Sequence, residues 1–510
     1  MMRIKQKESK LFYNFSLSSH IPKDHFLRSV EEAIDFSFVH DLARPYYSHT
    51  GQPGIDPVVL LKMMLIGYLY DITSERKLAQ ELKVNLAFMY FLGYDIDEET
   101  PNHSVLSKAR RRFGARIFEE FFDRLVEKCK SKGLIQAEKA FIDSSLVPAN
   151  ASLFSIVDCG QRVALKQTPK EYLKRVEEAN PADDEEIHQA KKDDPKSKSP
   201  DLPKNKTCYS KTDPDASLIR YKNRPLQLAY KQHISVDSGP AKVITACSTT
   251  TAAVSDEHKL THLISKAYEK HNILPKEVGA DTKYGTADNY RFLLENGILP
   301  SMSHHSTKSV KDLWGKDKFI YNKERDQYKC PRGHVLKNAS FIKDLRHIIY
   351  RARAKHCRAC KYQKECTSSA QGRSVIRHVH EASLEIAKRH LTTIRAKLTI
   401  NERSGAIENV FASEKKDLGL KRAKFRGLTN VTIQSLLTAA AYNLRKLVKY
   451  AGGSKQKLKE SIKSPILPPF RETAFKIAQI IRDSEGVSIA LDVKERIFLF
   501  FSRICALNFV

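Results

Sequence analysis

Asp143 closes a short apolar run, Ala140-Phe141-Ile142, and two serines follow it at once. A carboxylate at the end of a strand that reads as buried is costly unless it is paired, hydrogen-bonded or bound to a metal. The arrangement recurs at Asp281, after Val278-Gly279-Ala280. Two such acids suggest a divalent-cation site, and a third acid would complete it. Glu408 is the candidate, with Lys415 seven residues further on. Seven residues is nearly two helical turns, so the two side chains face the same way. Phe411 and Ala412 share that side, which predicts a face packed on the protein. Taken singly, a turn or cap would explain either aspartate, and a solvated salt bridge would explain the glutamate. Taken in order on these elements, the three favour a metal. Asp213, Asp215, Asp237 and Asp256 are rival acids. A turn explains the Asp213-Pro214-Asp215 pair, a hairpin turn Asp237, and a helix N-cap Asp256.

A second constellation is built from thiols. Cys330, Cys357, Cys360 and Cys366 fall in one basic segment, with His334 and His356 nearby. The two-residue spacing of Cys357 and Cys360 lets both thiolates reach one Zn²⁺. The alternative is a set of free thiols in a basic loop.

The elements that must carry these residues come in two kinds. The chain to about residue 133 reads as helical, with Asp56 as N-cap before Pro57 and Ser74 as the next cap. A Thr100-Pro101 start then leads into a helix bearing Lys108, Arg110, Arg111 and Arg112. Two short helices followed by an arginine-bearing one outline either a helix-turn-helix reader or an ordinary bundle with a basic face. After Asp143 comes a charge-dense tract at about 166–213, too polar to order itself. "QLAYKQHISVDSGPAKVITACSTTTAA" then alternates as a hairpin about Ser-Gly-Pro. Helix, strand, helix with Thr286 as cap and Gly297 as stop, and strand complete a mixed α/β sheet. A long helical stretch runs from about Leu384 to Tyr450.

The chain of 510 residues carries a formal net charge of +28 spread along nearly its whole length. That points to a polyanion bound over a broad surface, with nucleic acid the first candidate. The basic, polar start predicts no secretory leader. The apolar runs Val58–Tyr70 and Ile497–Phe501 are too short or broken to span a bilayer. Nine cysteines without a leader predict reduced thiols and a cytoplasmic location.

From about residue 40 to 450 the sequence resembles the DDE transposases of bacterial insertion sequences. "FIDSSLVPANAS" resembles the first-aspartate strand, "TDPDA" a block downstream, and "GADTKYGTADNYRFL" the second-aspartate strand. "AIENVFASEKKDLGLKRAKFRGLTNV" resembles the glutamate helix with its lysine, and "AAAYNLRKL" a later block. "HDLARPYYSHTGQPGIDPVVLLKMMLIGYLYDITSERKLAQEL" and "PNHSVLSKARRRFG" resemble the N-terminal helical domain. Two departures stand out. Ile400 and Asn401 occupy the place of a tyrosine, and Thr282-Lys283-Tyr284 replaces a small residue-Gly-Tyr.

The resemblance implies an α/β RNase H-like catalytic core with a mixed sheet and helices. It is preceded by an all-α N-terminal DNA-binding domain and carries a cysteine-bearing insertion. The expected divisions are 1–133 helical, 134–306 the first part of the catalytic domain, 307–373 the basic Cys-rich insertion, 374–452 the remainder with the glutamate helix, and 453–510 linker and tail. Asp143, Asp281 and Glu408 would bind two Mg²⁺ (or Mn²⁺) for phosphodiester hydrolysis at element ends, then strand transfer by the 3′-hydroxyl. Lys415 would act at the cut. Arg403, Lys416, Lys421, Arg422, Lys424 and Arg426, with Lys108, Arg110, Arg111 and Arg112, would contact DNA. Cys330, Cys357, Cys360 and Cys366 would hold a structural Zn²⁺. The expected partners are terminal inverted repeats, target DNA and a second copy in a homodimer, with no membrane and a nucleoid-associated place in a bacterial cytoplasm. The alternatives are an inactive, domesticated binder of terminal repeats and an RNase H-like nuclease without strand transfer.

Overall fold

The computed structural model describes residues 15–48, 50, 54–158, 208–220, 225–304, 313–343 and 346–451. Most of the charged tract and all of the C-terminal tail expected from the sequence lie outside these residues.

The N-terminal part is helical because its caps and apolar runs leave little else. The Asp56 carboxylate accepts the Val58 amide at 2.7 Å and starts the helix Pro57–Leu69, which is buried almost all round. Ser74 accepts the Lys77 amide at 3.3 Å and starts Glu75–Leu82. Leu86–Leu92, Ser104–Phe113 and Arg116–Ser131 follow. The apolar face of the last, from Ile117 to Cys129, is fully buried.

The strands are β1 (Lys139–Pro148), β2 (Ile156–Asp158), β3 (Cys208–Ser210), β4 (Ser217–Ile219), β5 (Gln227–Asp237), β6 (Ile244–Thr251), β7 (Glu277–Ala280) and β8 (Leu299–Ser301). The main sheet runs β6-β5-β1-β7-β8, with β4 on the same edge of β5 as β6. β6, β5 and β1 are antiparallel, whereas β1, β7 and β8 are parallel. Asp237 anchors the β5–β6 turn, accepting the amides of Gln136, Ala137 and Gly239 at 3.1, 2.9 and 2.7 Å. Thr286 accepts the Asn289 amide at 3.3 Å and starts Ala287–Glu295, and Gly297 at φ +72° ends it, as the sequence predicts.

The helix Ile394–Lys416 lies across the face of the main sheet that carries Phe141, Asp143 and Ser145. Arg395 reaches Glu277 at 2.7 Å, Arg403 reaches Asp143, and Glu414 reaches Gln232 of β5. The helix Leu428–Ala451 joins the two regions by packing on Arg116–Ser131 and on β6. Its Asn443 amide bonds the backbone of Ile244 at 2.9 and 2.8 Å. One apolar core therefore runs through helical region and sheet. Asp213 and Asp215 do more than make a turn. They accept the Gly427 and Leu428 amides at 3.0 and 2.8 Å, where a helix N-terminus favours negative charge.

A second antiparallel sheet stands apart: β9 (Ile320–Asn322), β10 (Gln327–Lys329), β11 (Val335–Ile342), β12 (His347–Ala352) and β13 (Ser374–His378), ordered β13-β12-β11-β10-β9. It has its own core of Phe319, Tyr328, Leu336, Tyr350 and Val375. Its last strand carries the insertion past the expected boundary at 373, because Ser374 to His378 pair with β12. Among the described residues no helix is long and apolar enough to cross a membrane.

Candidate active site

The parallel register of β1 and β7 pairs Phe141 with Gly279 and Ile142 with Ala280. The next residue of each strand is Asp143 and Asp281. Neighbouring strands lie about 4.8 Å apart, so the two carboxylates stand side by side. Gly279 allows the close packing beneath them, since a Cβ there would meet Phe141 at 3.0 Å and Thr399 at 3.3 Å.

Each aspartate also does the local work its position suggests. Asp143 accepts the Ser144 amide at 2.8 Å, and Asp281 accepts the Thr282 amide at 2.7 Å to cap the turn Thr282–Tyr284. Burial pushes the Asp143 carboxyl above the usual range. The Ser144 amide and the Arg403 guanidinium pull it back, and the neighbouring Asp281 charge adds to the rise. Arg403 donates to Asp143 Oδ2 at 2.9 Å, so this residue serves an acid of the site rather than open phosphate.

Glu408 is not brought to the pair. It is exposed and accepts the Ser404 hydroxyl at 2.8 Å. The stripe of the helix that packs on the sheet is Ala396, Thr399, Arg403, Ile407, Val410 and Glu414. Glu408 follows Ile407 by one residue, about 100° round the helix. The expected packing of the Glu408–Lys415 side is corrected accordingly: Phe411 is half-buried against the core, but Glu408 and Ala412 are exposed. Lys415 is half-buried and has a partner.

On the opposite face of β1 lies a group that the sequence did not reveal. The Asp256 carboxylate accepts the Ser144 hydroxyl at 2.9 Å, Lys231 at 3.0 Å and Lys283 at 3.3 Å. Burial would raise the Asp256 carboxyl, but Lys231, with His233 and Lys283, outweighs it and holds the carboxyl below the usual range. The helix-cap expectation for Asp256 is thus corrected, because Ser255 occupies the cap position and the carboxylate braces the strand. An inward lysine in the middle of "QLAYKQHISVD" was the signal available. Glu414, fully buried one residue before Lys415, was missed as well.

The basic residues expected at DNA divide in two. Lys108, Arg111, Arg112, Lys416, Lys421, Arg422 and Arg426 are exposed. Arg110 is buried and Lys424 half-buried, and each packs on an aromatic ring inside the protein. Arg110 pairs with Glu75 and lies 3.9 Å over the Phe425 ring. Lys424 lies 4.5 Å over Tyr68, and burial pushes its ammonium below the usual lysine range. Both tie the N-terminal helices to the segment after the glutamate helix, because a cation against an aromatic face gains most when desolvated.

The thiols of Cys330, Cys357, Cys360 and Cys366 lie at one end of the second sheet. Burial raises the Cys366 thiol, Arg373 opposes, and the other three cysteines add to the rise, so the four are near neighbours. The Arg373 amide donates to Cys357 Sγ at 3.4 Å. Among the described residues, no set of three or more His, Cys, Asp or Glu side chains is drawn together closely enough to hold a metal ion. The donor chemistry still divides cleanly. Asp143 and Asp281 offer the hard oxygens that suit Mg²⁺, and the four thiols offer the sulfur set of a structural Zn²⁺.

Comparison with known proteins gives these geometries a family. Residues 15–112 match the model of a transposase domain (DUF772), and residues 329–448 match that of a transposase DDE domain. The second match takes in the cysteine segment, the glutamate helix and most of the long helix, but neither Asp143 nor Asp281. No curated protein matches the chain. Among solved structures, the chain is similar to the piggyBac transposase in a cryo-EM synaptic complex with hairpin DNA, at 10% identity. That likeness covers 89% of this chain and 84% of that one at a TM-score of 0.33, too distant to carry an argument. The chain thus carries a transposase domain (DUF772) and a transposase DDE domain, a pair consistent with a DDE transposase.

Proposed function

We propose that this DNA transposase cuts phosphodiester bonds at the ends of its own element and joins the freed 3′-hydroxyl to target DNA, with Asp143 and Asp281 as the centre of the site. The observation that carries the reading is the β1–β7 register, which sets two buried-end carboxylates side by side. The antiparallel β6-β5-β1 followed by parallel β7-β8 supports an RNase H-like core.

Asp143 and Asp281 would hold divalent cations, two Mg²⁺ or Mn²⁺ in this reading, with Glu408 as the third acid. Such ions, when bound, activate a water or hydroxyl nucleophile and neutralise charge on the leaving oxygen. Arg403 keeps Asp143 oriented and shares its Oδ2, so it competes there with any cation. Glu408 stands on the helix stripe next to that of Arg403, so bringing it to the pair requires the helix to turn about its axis and Ser404 to release it. The brace of Asp256 on Ser144 holds the strand end while the helix moves.

Lys415 would contact phosphate beside the cut. Lys108, Arg111, Arg112, Lys416, Lys421, Arg422 and Arg426 would hold the flanking duplex of the terminal repeats, largely without reading sequence. The working form in this reading is a homodimer holding two ends, acting at the nucleoid in a bacterial cytoplasm.

The test is a duplex carrying the element's end, incubated with Mg²⁺ and a target plasmid. Cleavage followed by joining is the expected result. Cleavage without joining would make the protein a nuclease. Binding without cleavage would make it a silent binder of terminal repeats, the reading that the exposed Glu408 favours.

The cysteines enter the proposal as a structural zinc site, with Cys330, Cys357, Cys360 and Cys366 as ligands of one Zn²⁺. Elemental analysis of the purified chain is expected to give close to one zinc per chain, and serine at Cys357 and Cys360 to remove it. A wild-type preparation without zinc would withdraw this part.

A further inference from the structure

Residues 329–364 carry eleven lysines and arginines against one acid, Asp344. No other stretch of the described chain is so one-sided, and most of these side chains are exposed. The fold arranges them rather than leaving them on loops. One face of the second sheet covers its small core, and the other is open. On the open face Lys337 of β11 stands between Gln327 of β10 and Arg351 of β12, and Arg351 stands opposite Ser374 of β13. Asn322 of β9 completes the row beside Gln327. A polar, basic band therefore crosses all five strands. Lys329, at the end of β10, lies on the same face, next to Ile320, which is 72% exposed. Arg353, Lys355 and Arg358 continue the charge onto the cysteine-bearing end, all exposed.

Among the described residues, none of Lys329, Lys337, Arg351, Arg353, Lys355 and Arg358 is paired with a carboxylate. Arg351 donates only to the Gln371 amide oxygen, at 3.1 Å. Three other basic groups of the region are neutralised by contrast: Lys316 by Glu381, Arg346 by Asp288 and Arg377 by Glu385, at 2.6, 2.9 and 3.2 Å. Leaving six like charges unpaired on one rigid surface costs self-repulsion, which a polyanion relieves.

We propose that the open face of β9–β13 and its cysteine-bearing end form a phosphate-backbone surface for duplex DNA, separate from the basic residues around the glutamate helix. This rests on the reading that the chain works on DNA, and it adds where a second length of duplex lies. Five strands span about 19 Å, and that length of duplex carries about eleven phosphates. The band on the strands is made of side chains of a sheet face, and the helix Ala354–Arg358 at its end is only five residues long, so the surface positions the duplex without reading base edges.

The experiment measures binding of the full chain to two 30-bp duplexes, one with the element's end and one of random sequence, from low to high salt. Serine at Lys337, Arg351 and Arg353 together is expected to flatten the log–log salt dependence by two to three, at about 0.9 per lost phosphate contact. Both duplexes should weaken alike. Serine at Arg353 and Lys355, which lie outside the strands, should flatten it by about two without touching the sheet. A salt slope equal to wild type in both variants overturns the surface while leaving the DNA reading intact. Weaker binding of duplex RNA with unchanged DNA binding overturns it in favour of RNA. Failure of the wild-type chain to bind either DNA duplex overturns the DNA reading and this surface together.

Discussion

Asn in place of Asp143 is expected to lower strand cleavage by at least about 10³-fold while the chain binds its element's end as tightly as wild type. The same holds for Asn at Asp281. Asn keeps the size but only one oxygen of the carboxylate, so either the Ser144 amide or Arg403 retains its acceptor and the other loses it. What it removes is the negative charge that a cation needs. A folding defect is not expected, and the direction of the Asp143 shift says why. A carboxyl whose folded pKa lies above its unfolded value contributes stability at low pH and loses it as pH rises through the folded value. At neutral pH the ionised Asp143 is therefore a cost that a neutral Asn relieves, and this offsets the acceptor lost to Ser144 or Arg403, so the variant should melt close to wild type. Cleavage and joining assays, gel-shift binding and a thermal melt on one preparation check the three parts. Cutting at the wild-type rate by the Asp143 variant would remove the proposed centre. A melt well below wild type would remove the argument that the site is built at the expense of stability.

The sequence made the two aspartates legible because strands announce themselves locally. A short apolar run ending in an acid, seen twice, needs only the parallel pairing of β1 and β7 to become a pair of neighbouring carboxylates. The caps at Asp56, Ser74 and Thr286 were legible for the same reason, since each bonds an amide two or three residues on. Glu408 was not, because spacing along a helix gives the angle between side chains but not which stripe meets the sheet. The packed stripe passes through Arg403 and Glu414, and charged residues there disguise it as a solvated face. Lys231 and Asp256 were hidden likewise, for partners 25 residues apart meet only across the sheet. Arg110 and Lys424 read as DNA contacts because basic residues in a basic chain carry no mark of burial. Only the docking of the helices on Phe425 and Tyr68 decides them. The second sheet was unread because its strands are short, and β11 is exposed along most of its length with no clean alternation.

Glu414 gives the other large effect, on stability rather than chemistry. Its side chain is fully buried under the glutamate helix, where Oε1 accepts the Gln232 amide at 3.0 Å and Oε2 has no partner. Burial pushes its carboxyl up to about 8, against which the Gln232 hydrogen bond and Lys415 work only in part. The group is therefore mostly protonated at pH 7 in the folded chain and ionised in the unfolded one. Stability from this group is complete below its ordinary value of 4.5 and falls away as pH rises to about 8. The full loss is on the order of 5 kcal/mol, since each pKa unit is worth about 1.4 kcal/mol. Gln at Glu414 keeps the shape, cannot ionise, and is expected to remove this pH dependence. Urea unfolding at pH 6 and pH 9 checks it: wild type should lose midpoint across that interval by more than the Gln variant, which should be the more stable of the two at pH 9. Parallel curves for the two proteins would show that Glu414 meets water or a cation in the folded chain. The consequence reaches the site because Lys415 is the next residue. A charge at Glu414 drives the end of this helix away from β5, and with it the lysine proposed to hold phosphate beside the cut.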